Sequence, residues 1–125
     1  MCANYQPPAA QTVRDKFNAL PVEFLFKPET YPGYDAPVLL ASDAAPDELV
    51  PVRAMFGLVP HWAKDTKISR QTYNARSETI AKLNSYRTPW KNRQFCLVPV
   101  NAFYEPNYEL GKPVRWAIKR LDDER

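Results

Sequence analysis

Proline restricts the conformations open to this chain more than any other residue. The 125 residues contain 13 prolines and only 3 glycines. Each proline fixes φ, removes a backbone donor and pushes the preceding residue toward extended conformations, so such a chain forms stiff connections and few long helices. A hydrophobic fraction of 45% and an aromatic fraction of 13% indicate a packed interior rather than disorder. The sequence therefore predicts a loop-rich α+β fold, and its length suits one domain.

Charge and cysteine content exclude several classes of protein. The net charge is +3, from 17 basic and 14 acidic side chains, which is compatible with a polyanionic partner but does not indicate one. Two cysteines do not make a disulfide scaffold, and with a single histidine they do not make a structural zinc site. No leader peptide and no apolar run long enough to cross a bilayer is present. We expect a soluble, cytoplasmic protein that uses no metal and no cofactor.

Hydrophobic spacing predicts short elements of both types. Apolar residues recur at helical spacing over 9–20 and again over 77–86, where Ser77 precedes the repeat as an N-cap. Strands are predicted over 38–41, 50–56, 95–100 and 103–108, and in a last segment through Val114, Trp116 and Ile118. The near-continuous apolar run at 95–100 is typical of a buried strand, which makes Cys96 a core thiol.

The first two residues, Met1 and Cys2, form the most reactive stretch of the sequence. Once Met1 is removed, Cys2 presents an α-amine and a thiol on adjacent carbons. An aldehyde can form an imine with the amine and then accept the thiol at the same carbon, which closes a thiazolidine ring. The amine titrates near ~8 and the thiol near ~8.5, so neighbours that move protons are needed. The alternative is an incidental cysteine in a frayed chain end.

Three further stretches carry side chains suited to chemistry. Residues 74–79 (NARSET) place Arg76 at a predicted helix start, where it can bind phosphate, or where it simply forms a solvated pair with a nearby carboxylate. Glu105 follows a very apolar strand, where it can act as a general acid or base, or else lies on an exposed strand face. Trp62, in a loop at 57–64, can stack on an exposed base or cover the core.

In their order and spacing, these stretches resemble the SOS-response-associated peptidase (SRAP) family. The matching motifs are Met1-Cys2, 57–65 (GLVPHWAKD), 74–79 (NARSET), and 93–99 (RQFCLVP) running into 103–105 (FYE). The resemblance implies a predominantly antiparallel β-sheet curled into a partial barrel with short flanking helices. Members of the family are known as sensors of abasic sites in single-stranded DNA. Their N-terminal cysteine joins the ring-opened sugar aldehyde through a thiazolidine, which shields the lesion.

The resemblance also implies a role for each candidate residue. Cys2 would be the nucleophile, Asn74 would hold the chain terminus and the sugar, and Glu105 would handle protons on the α-amine and the opening sugar. Arg76 would contact phosphate, and Trp62 would pack on the DNA near the lesion. The implied partner is single-stranded DNA with abasic sites, which gives the protein a nucleoid-associated location in DNA repair and the SOS response. The implied activity is that of an SRAP-type thiol peptidase that removes Met1, together with a lyase-like crosslinking step.

The sequence departs from the family pattern in three respects. Ala3 and Asn4 follow Cys2 where the family has Gly-Arg, and Pro106 follows Glu105 where an aromatic residue is common. The family's second half, which carries a histidine thought to act in acid–base catalysis, has no counterpart here. The resemblance therefore implies a single SRAP-like domain over residues 1–125, truncated at its C-terminus.

These departures leave other functions open. A sheet edge without its next strand favours a homodimer or a complementing chain. One alternative function is a catalytically impaired nucleic-acid-binding or interaction module that remains after loss of the second half. Another is a self-processing thiol peptidase without a role on DNA.

Overall fold

The computed structural model describes residues 2–122 and has an α+β fold. Predictions about Met1 therefore lie outside the described residues. In chain order the elements are β1 (Tyr5–Gln6), α1 (Ala10–Phe17), β2 (Asp35–Leu40), β3 (Val50–Met55), a 3-10 turn (Lys67–Arg70), α2 (Arg87–Lys91), β4 (Ala102–Asn107) and β5 (Val114–Ile118). Each ladder between these strands is antiparallel, so the predicted fold class is confirmed.

The strands lie in two sheets rather than in one continuous sheet. One sheet has the order β1-β4-β5 and the other pairs β2 with β3. Single bridges link these sheets to the loops around them, from Tyr5 to Thr30 and from Leu39 to Leu97. The strands among residues 2–122 do not close into a barrel. The N-terminal strand β1 lies at one edge of the larger sheet and pairs with β4, which is the central strand.

Helix α1 packs the small hydrophobic core and is shorter than the predicted segment 9–20. It ends at Phe17 because Asn18 adopts a left-handed conformation with φ 48°, which asparagine tolerates better than most residues. Val13 is fully buried against Leu39 of β2. No helix in the described part of the chain is long and apolar enough to span a membrane.

The helix predicted over 77–86 is wrong. The segment forms consecutive hydrogen-bonded turns, and the N–H of Ile80 donates to the carbonyl of Arg76 at 2.9 Å. The Ser77 hydroxyl bonds the neighbouring carboxylate of Glu78 at 3.4 Å instead of capping a helix. Polar side chains with short stems compete for local hydrogen bonds and favour turns over helix interiors. The α-helix begins only at Arg87–Lys91, which moves it beyond the predicted segment.

The buried strand predicted over 95–100 is also wrong. Phe95 is 59% exposed and Leu97 is 55% exposed. The backbone of Leu97 forms a single bridge to Leu39, and Pro99 supplies no amide donor that could extend a ladder. Cys96 is therefore an exposed thiol, not the core thiol that the apolar run predicted. An apolar run signals burial, but it needs strand partners to become a sheet.

Candidate functional site

Cys2 lies in the wall of an apolar cavity of about 720 Å³. The cavity is formed where the N-terminal segment, the end of β3, the loop around Asn74 and the segment 95–100 meet. Cys2 and Asn74 contribute polar atoms to walls that are otherwise mainly hydrophobic and aromatic. Cavities of this size with a few convergent polar groups are typical ligand sites. The structure thus places the candidate nucleophile beside an open, mainly apolar space.

Asn74 holds the backbone of Cys2 directly. Its side-chain Nδ2 donates to the carbonyl oxygen of Cys2 at 2.8 Å, although the two residues are 72 positions apart in sequence. The carbonyl of Asn74 in turn accepts a hydrogen bond from the phenol of Tyr86 at 2.9 Å. Tyr86 is buried, and this burial raises the pKa of its phenol. Asn74 is therefore fixed at both its side chain and its backbone.

Three aromatic rings connect the N-terminal segment to the Asn74 loop. Tyr5 meets Phe56 edge to face with ring centroids 5.3 Å apart, and Phe56 meets Tyr73 in the same way at 5.9 Å. Edge-to-face pairs of this kind add to the stability gained from apolar burial. Because Tyr73 immediately precedes Asn74, this row of rings sets the distance between Asn74 and Cys2.

The loop that leads to Tyr73 is closed by backbone contacts. Gly57 has φ +122°, and a Cβ placed on it would lie 2.6 Å from the carbonyl oxygen of Ser69. Only glycine combines that φ with that close approach. At the other end of the loop, the hydroxyl oxygen of Thr72 lies 2.6 Å from the carbonyl oxygen of Leu58 and 3.0 Å from that of Ile68, and its single proton is donated to one of the two or shared between them. These contacts fix where the chain emerges toward the site.

Residues 2–6 are held in place by hydrogen bonds. The backbones of Tyr5 and Thr30 exchange two hydrogen bonds, at 3.1 Å and 2.8 Å. The carbonyl of Asn4 accepts the N–H of Tyr104 at 3.0 Å and lies 3.5 Å from the thiol sulfur of Cys2, which is oriented to donate to it. Cys2 itself is half-buried. The structure therefore argues against the alternative of an incidental cysteine in a loose terminus.

Glu105 is close in sequence to residues that line the cavity, but it is not itself among the described residues of the cavity wall. It is half-buried in β4 and pairs in register with Trp116 of β5. Phe103, two residues earlier on the same face of the strand, does line the cavity. The structure thus brings Cys2 and Asn74 together and places Glu105 on the adjoining part of the sheet. The acid–base role of Glu105 stays a prediction.

The two residues predicted to bind DNA lie outside the cavity wall. Arg76 is exposed at the start of the turns over 77–86. Trp62 is 51% exposed and lines a separate shallow hollow together with His61 and Asn84. Both are accessible to a large ligand, and their roles stay predictions.

Sequence reasoning missed several residues that build the site. Tyr86 gave no signal, because nothing in a sequence shows that a tyrosine reaches a carbonyl 12 positions earlier. Asn4 entered only as a departure from the family pattern, yet it is a buried hydrogen-bonding centre. In the described part of the chain, no group of histidine, cysteine or acidic side chains is arranged to hold a metal ion.

Comparison with known proteins gives consistent matches. The family model described as SOS response associated peptidase (SRAP) matches residues 1–125. The abasic site processing protein YoqW of Bacillus subtilis (strain 168) is 36% identical over 88 residues, which are 66% of this chain and 38% of that protein. The abasic site processing protein HMCES of Gallus gallus is 35% identical over 82 residues, covering 59% of this chain and 24% of the other.

A solved structure supports the fold independently. A protein of Bordetella bronchiseptica superimposes with a TM-score of 0.82 at 27% identity, covering 97% of this chain and 58% of the other. A protein of Bacteroides thetaiotaomicron shares the fold with a TM-score of 0.73. The matches to curated relatives cover less than two fifths of their length, and the solved structures are covered for little more than half.

Proposed function

The chain belongs to the SOS response associated peptidase (SRAP) family, and from this membership we propose that it processes abasic sites in DNA. The names of the curated relatives support this substrate. The observation that carries the proposal is the hydrogen bond from Asn74 to the carbonyl of Cys2, which holds the candidate nucleophile at the cavity wall. The DNA is single-stranded in this proposal, and the protein is cytoplasmic and nucleoid-associated.

The proposed reaction is covalent capture of the ring-opened sugar. After removal of Met1, the neutral α-amine of Cys2 attacks the aldehyde carbon and forms a carbinolamine. Loss of water gives an imine. The thiol then adds to the imine carbon, and its proton goes to the nitrogen, which closes a thiazolidine. One C–N and one C–S bond form, the C=O oxygen leaves as water, and no oxidant or reductant is consumed.

The surroundings of Cys2 suit this sequence of steps. The cavity beside Cys2 has room for a sugar and is lined mainly by apolar side chains. The clamp from Asn74 fixes the Cys2 backbone, so amine and thiol are presented to the same carbon with little loss of entropy. We propose Glu105 as the group that moves protons between the sugar and the amine, Arg76 as a phosphate contact and Trp62 as a stacking surface.

A crosslinking assay tests the proposal. Protein lacking Met1 is mixed with a single-stranded oligonucleotide that carries one abasic site, and the products are separated under denaturing conditions without borohydride. We expect a covalent adduct that is lost in Cys2→Ala and when Met1 is retained. Cys96→Ala is the matched control, because its thiol also lines the cavity but carries no α-amine. An adduct that survives Cys2→Ala, or no adduct with the unmodified protein, contradicts the proposal.

A peptidase step is a separate part of the proposal. If the chain removes Met1 by itself, Glu105→Ala changes the intact mass of the purified protein by the retained methionine. If host enzymes remove Met1, the two preparations carry the same N-terminal residue. Intact-mass measurement separates these outcomes.

A reversible DNA-binding or interaction module is the second candidate function. The exposed positions of Arg76 and Trp62 support it, since both are accessible to a large ligand without any chemistry at Cys2. Such a module would bind intact and abasic oligonucleotides alike. Its affinity would fall with rising salt and would be indifferent to replacement of Cys2.

We also propose that the free edge of β5 is completed by a second copy of the chain or by a complementing chain. Among residues 2–122, strand β5 pairs with β4 on one side and with no strand on the other. Val114, Trp116 and Ile118 alternate along it, and each is more than one third exposed. An unpaired strand with an apolar face is a template for a further strand.

A further inference from the structure

Arg115 connects the outermost strand of the larger sheet to the N-terminal segment. Its Nη2 donates to the side-chain oxygen of Asn4 and to a carboxylate oxygen of Glu29 at 2.9 Å. One nitrogen thus uses both of its hydrogens, one on each partner. Asn4 and Arg115 are 111 positions apart in sequence. The contact therefore joins a residue of β5 to Asn4, which lies two positions after Cys2 in the sequence.

The sheet register explains how Arg115 reaches this position. Arg115 is paired with Pro106, and its guanidinium carbon lies 3.7 Å from the ring centroid of Tyr104, its diagonal neighbour on β4. Diagonal pairs across antiparallel strands lie within reach of long side chains, and a guanidinium over an aromatic face is attracted to it. The Tyr104 ring therefore supports the side chain of Arg115 on its way to Asn4.

Asn4 is the residue on which these contacts converge. It is buried, and its Nδ2 donates to the carbonyl of Thr30 at 3.2 Å. Its own carbonyl accepts the N–H of Tyr104, and the thiol of Cys2 is oriented toward the same oxygen. The side-chain oxygen of Asn4 would be a buried acceptor without the guanidinium of Arg115. Loss of that donor would leave the Asn4 side chain held only through its Nδ2 and would weaken one of the contacts that orient the segment carrying Cys2.

We propose that Arg115 is a positioning residue for Cys2, acting through Asn4. This inference rests on the crosslinking function proposed above. The guanidinium does not touch the reacting atoms; it fixes the side chain that orients the N-terminal segment. Asn74 holds the same segment from the other side through the carbonyl of Cys2. Arg115 and Asn74 therefore act on the Cys2 segment from two sides, in addition to the backbone hydrogen bonds with Thr30 and Tyr104.

The ion pair with Glu29 is the weaker of the two contacts that Arg115 makes. Both partners are partly exposed, with side-chain exposures of 54% and 39%. Exposed ion pairs contribute little because water and salt screen them. Glu29→Gln is therefore a matched control: it removes the carboxylate and leaves the contact between Arg115 and Asn4 in place.

The test measures the crosslinking rate over a range of abasic oligonucleotide concentrations. We expect Arg115→Ala to lower the maximal rate about tenfold, since small misplacements of a nucleophile are costly, and to leave the half-saturating concentration within about twofold. Asn4→Ala should give the same loss, and the double variant should lose no more than either single one. Arg115→Lys should recover part of the rate, and Glu29→Gln should match the unmodified protein.

Several results would overturn the inference. These are an unchanged maximal rate in Arg115→Ala, an effect confined to the half-saturating concentration, or losses that multiply in the double variant. If unmodified protein forms no crosslink, the proposed function fails, and hydrogen exchange at the Tyr5 amide decides the positioning role instead. Faster exchange in Arg115→Lys than in Glu29→Gln supports the role, and equal exchange contradicts it.

Discussion

The phenol of Tyr86 illustrates how much of the site depends on residues that never meet a ligand. It donates to the carbonyl of Asn74, and the side chain of Asn74 then holds Cys2. The family resemblance implied that Asn74 holds the chain terminus, and in the structure its side chain donates to the carbonyl of Cys2. The sequence could not identify Tyr86 or Arg115, because their contacts depend on the paths of loops and on sheet register rather than on local pattern.

Burial of two tyrosines predicts a loss of stability at alkaline pH. Burial raises the pKa of the phenols of Tyr86 and Tyr5 above the ordinary value of about 10. The unfolded chain therefore releases these protons at a lower pH than the folded chain does. The stabilisation is complete below about pH 10 and is lost as the pH rises through the folded-state pKa values.

Urea unfolding between pH 8 and pH 11 measures this effect. We expect the free energy of unfolding to fall above about pH 10, and to fall less steeply in Tyr86→Phe. The same variant should lose about 1 kcal/mol at neutral pH, because the carbonyl of Asn74 loses a donor. Tyr108→Phe is the control, since Tyr108 is 64% exposed. An alkaline slope that is unchanged in Tyr86→Phe contradicts the assignment.

At the scale of elements, the turn at Gly57 determines how the loop from β3 returns to the site. Replacement by alanine strains the backbone at φ +122° and drives a Cβ into the backbone of Ser69. We expect Gly57→Ala to destabilise the protein by about 1–3 kcal/mol or more and to slow crosslinking, because Tyr73 and Asn74 would shift. Urea unfolding and the crosslinking assay measure the two effects.

Gly33 supplies the control for that variant. It also has a positive φ, 89°, but a Cβ there would meet nothing within 4 Å. Gly33→Ala should therefore show the conformational cost alone and leave crosslinking unchanged. Equal losses in both variants would show that the contact between Gly57 and Ser69 does not position the site.

A strand could be predicted from the sequence where its hydrophobic pattern was matched by a neighbouring strand that pairs with it. The strand predicted over 50–56 from its alternating apolar residues forms as β3 (Val50–Met55), and β2 supplies its partner. The segment 77–86 had a helical pattern and the segment 95–100 had an apolar pattern, and these patterns were of similar strength. The predicted helix does not form because short polar side chains favour turns. The predicted strand does not form because the described segment makes only one bridge to another segment.

At the scale of the whole molecule, strand β5 presents apolar side chains to solvent. Trp116 is 52% exposed, Ile118 is 40% exposed and Val114 is 38% exposed. Soluble monomers rarely leave large contiguous apolar patches uncovered. Composition indicated a packed interior, and it could not show that aromatic side chains such as Trp116 remain exposed.

This surface predicts that the chain associates through β5. Sedimentation equilibrium should show a mass that rises with concentration above the 14.4 kDa of one chain. Trp116→Glu should hold the protein at the mass of one chain, because a carboxylate at the centre of the strand would be buried without a partner. Leu25→Glu is the control, since Leu25 is 94% exposed and lies outside the β1-β4-β5 sheet. A single-chain mass for unmodified protein at every concentration contradicts self-association, and equal association of Trp116→Glu and unmodified protein shows that β5 is not the contact.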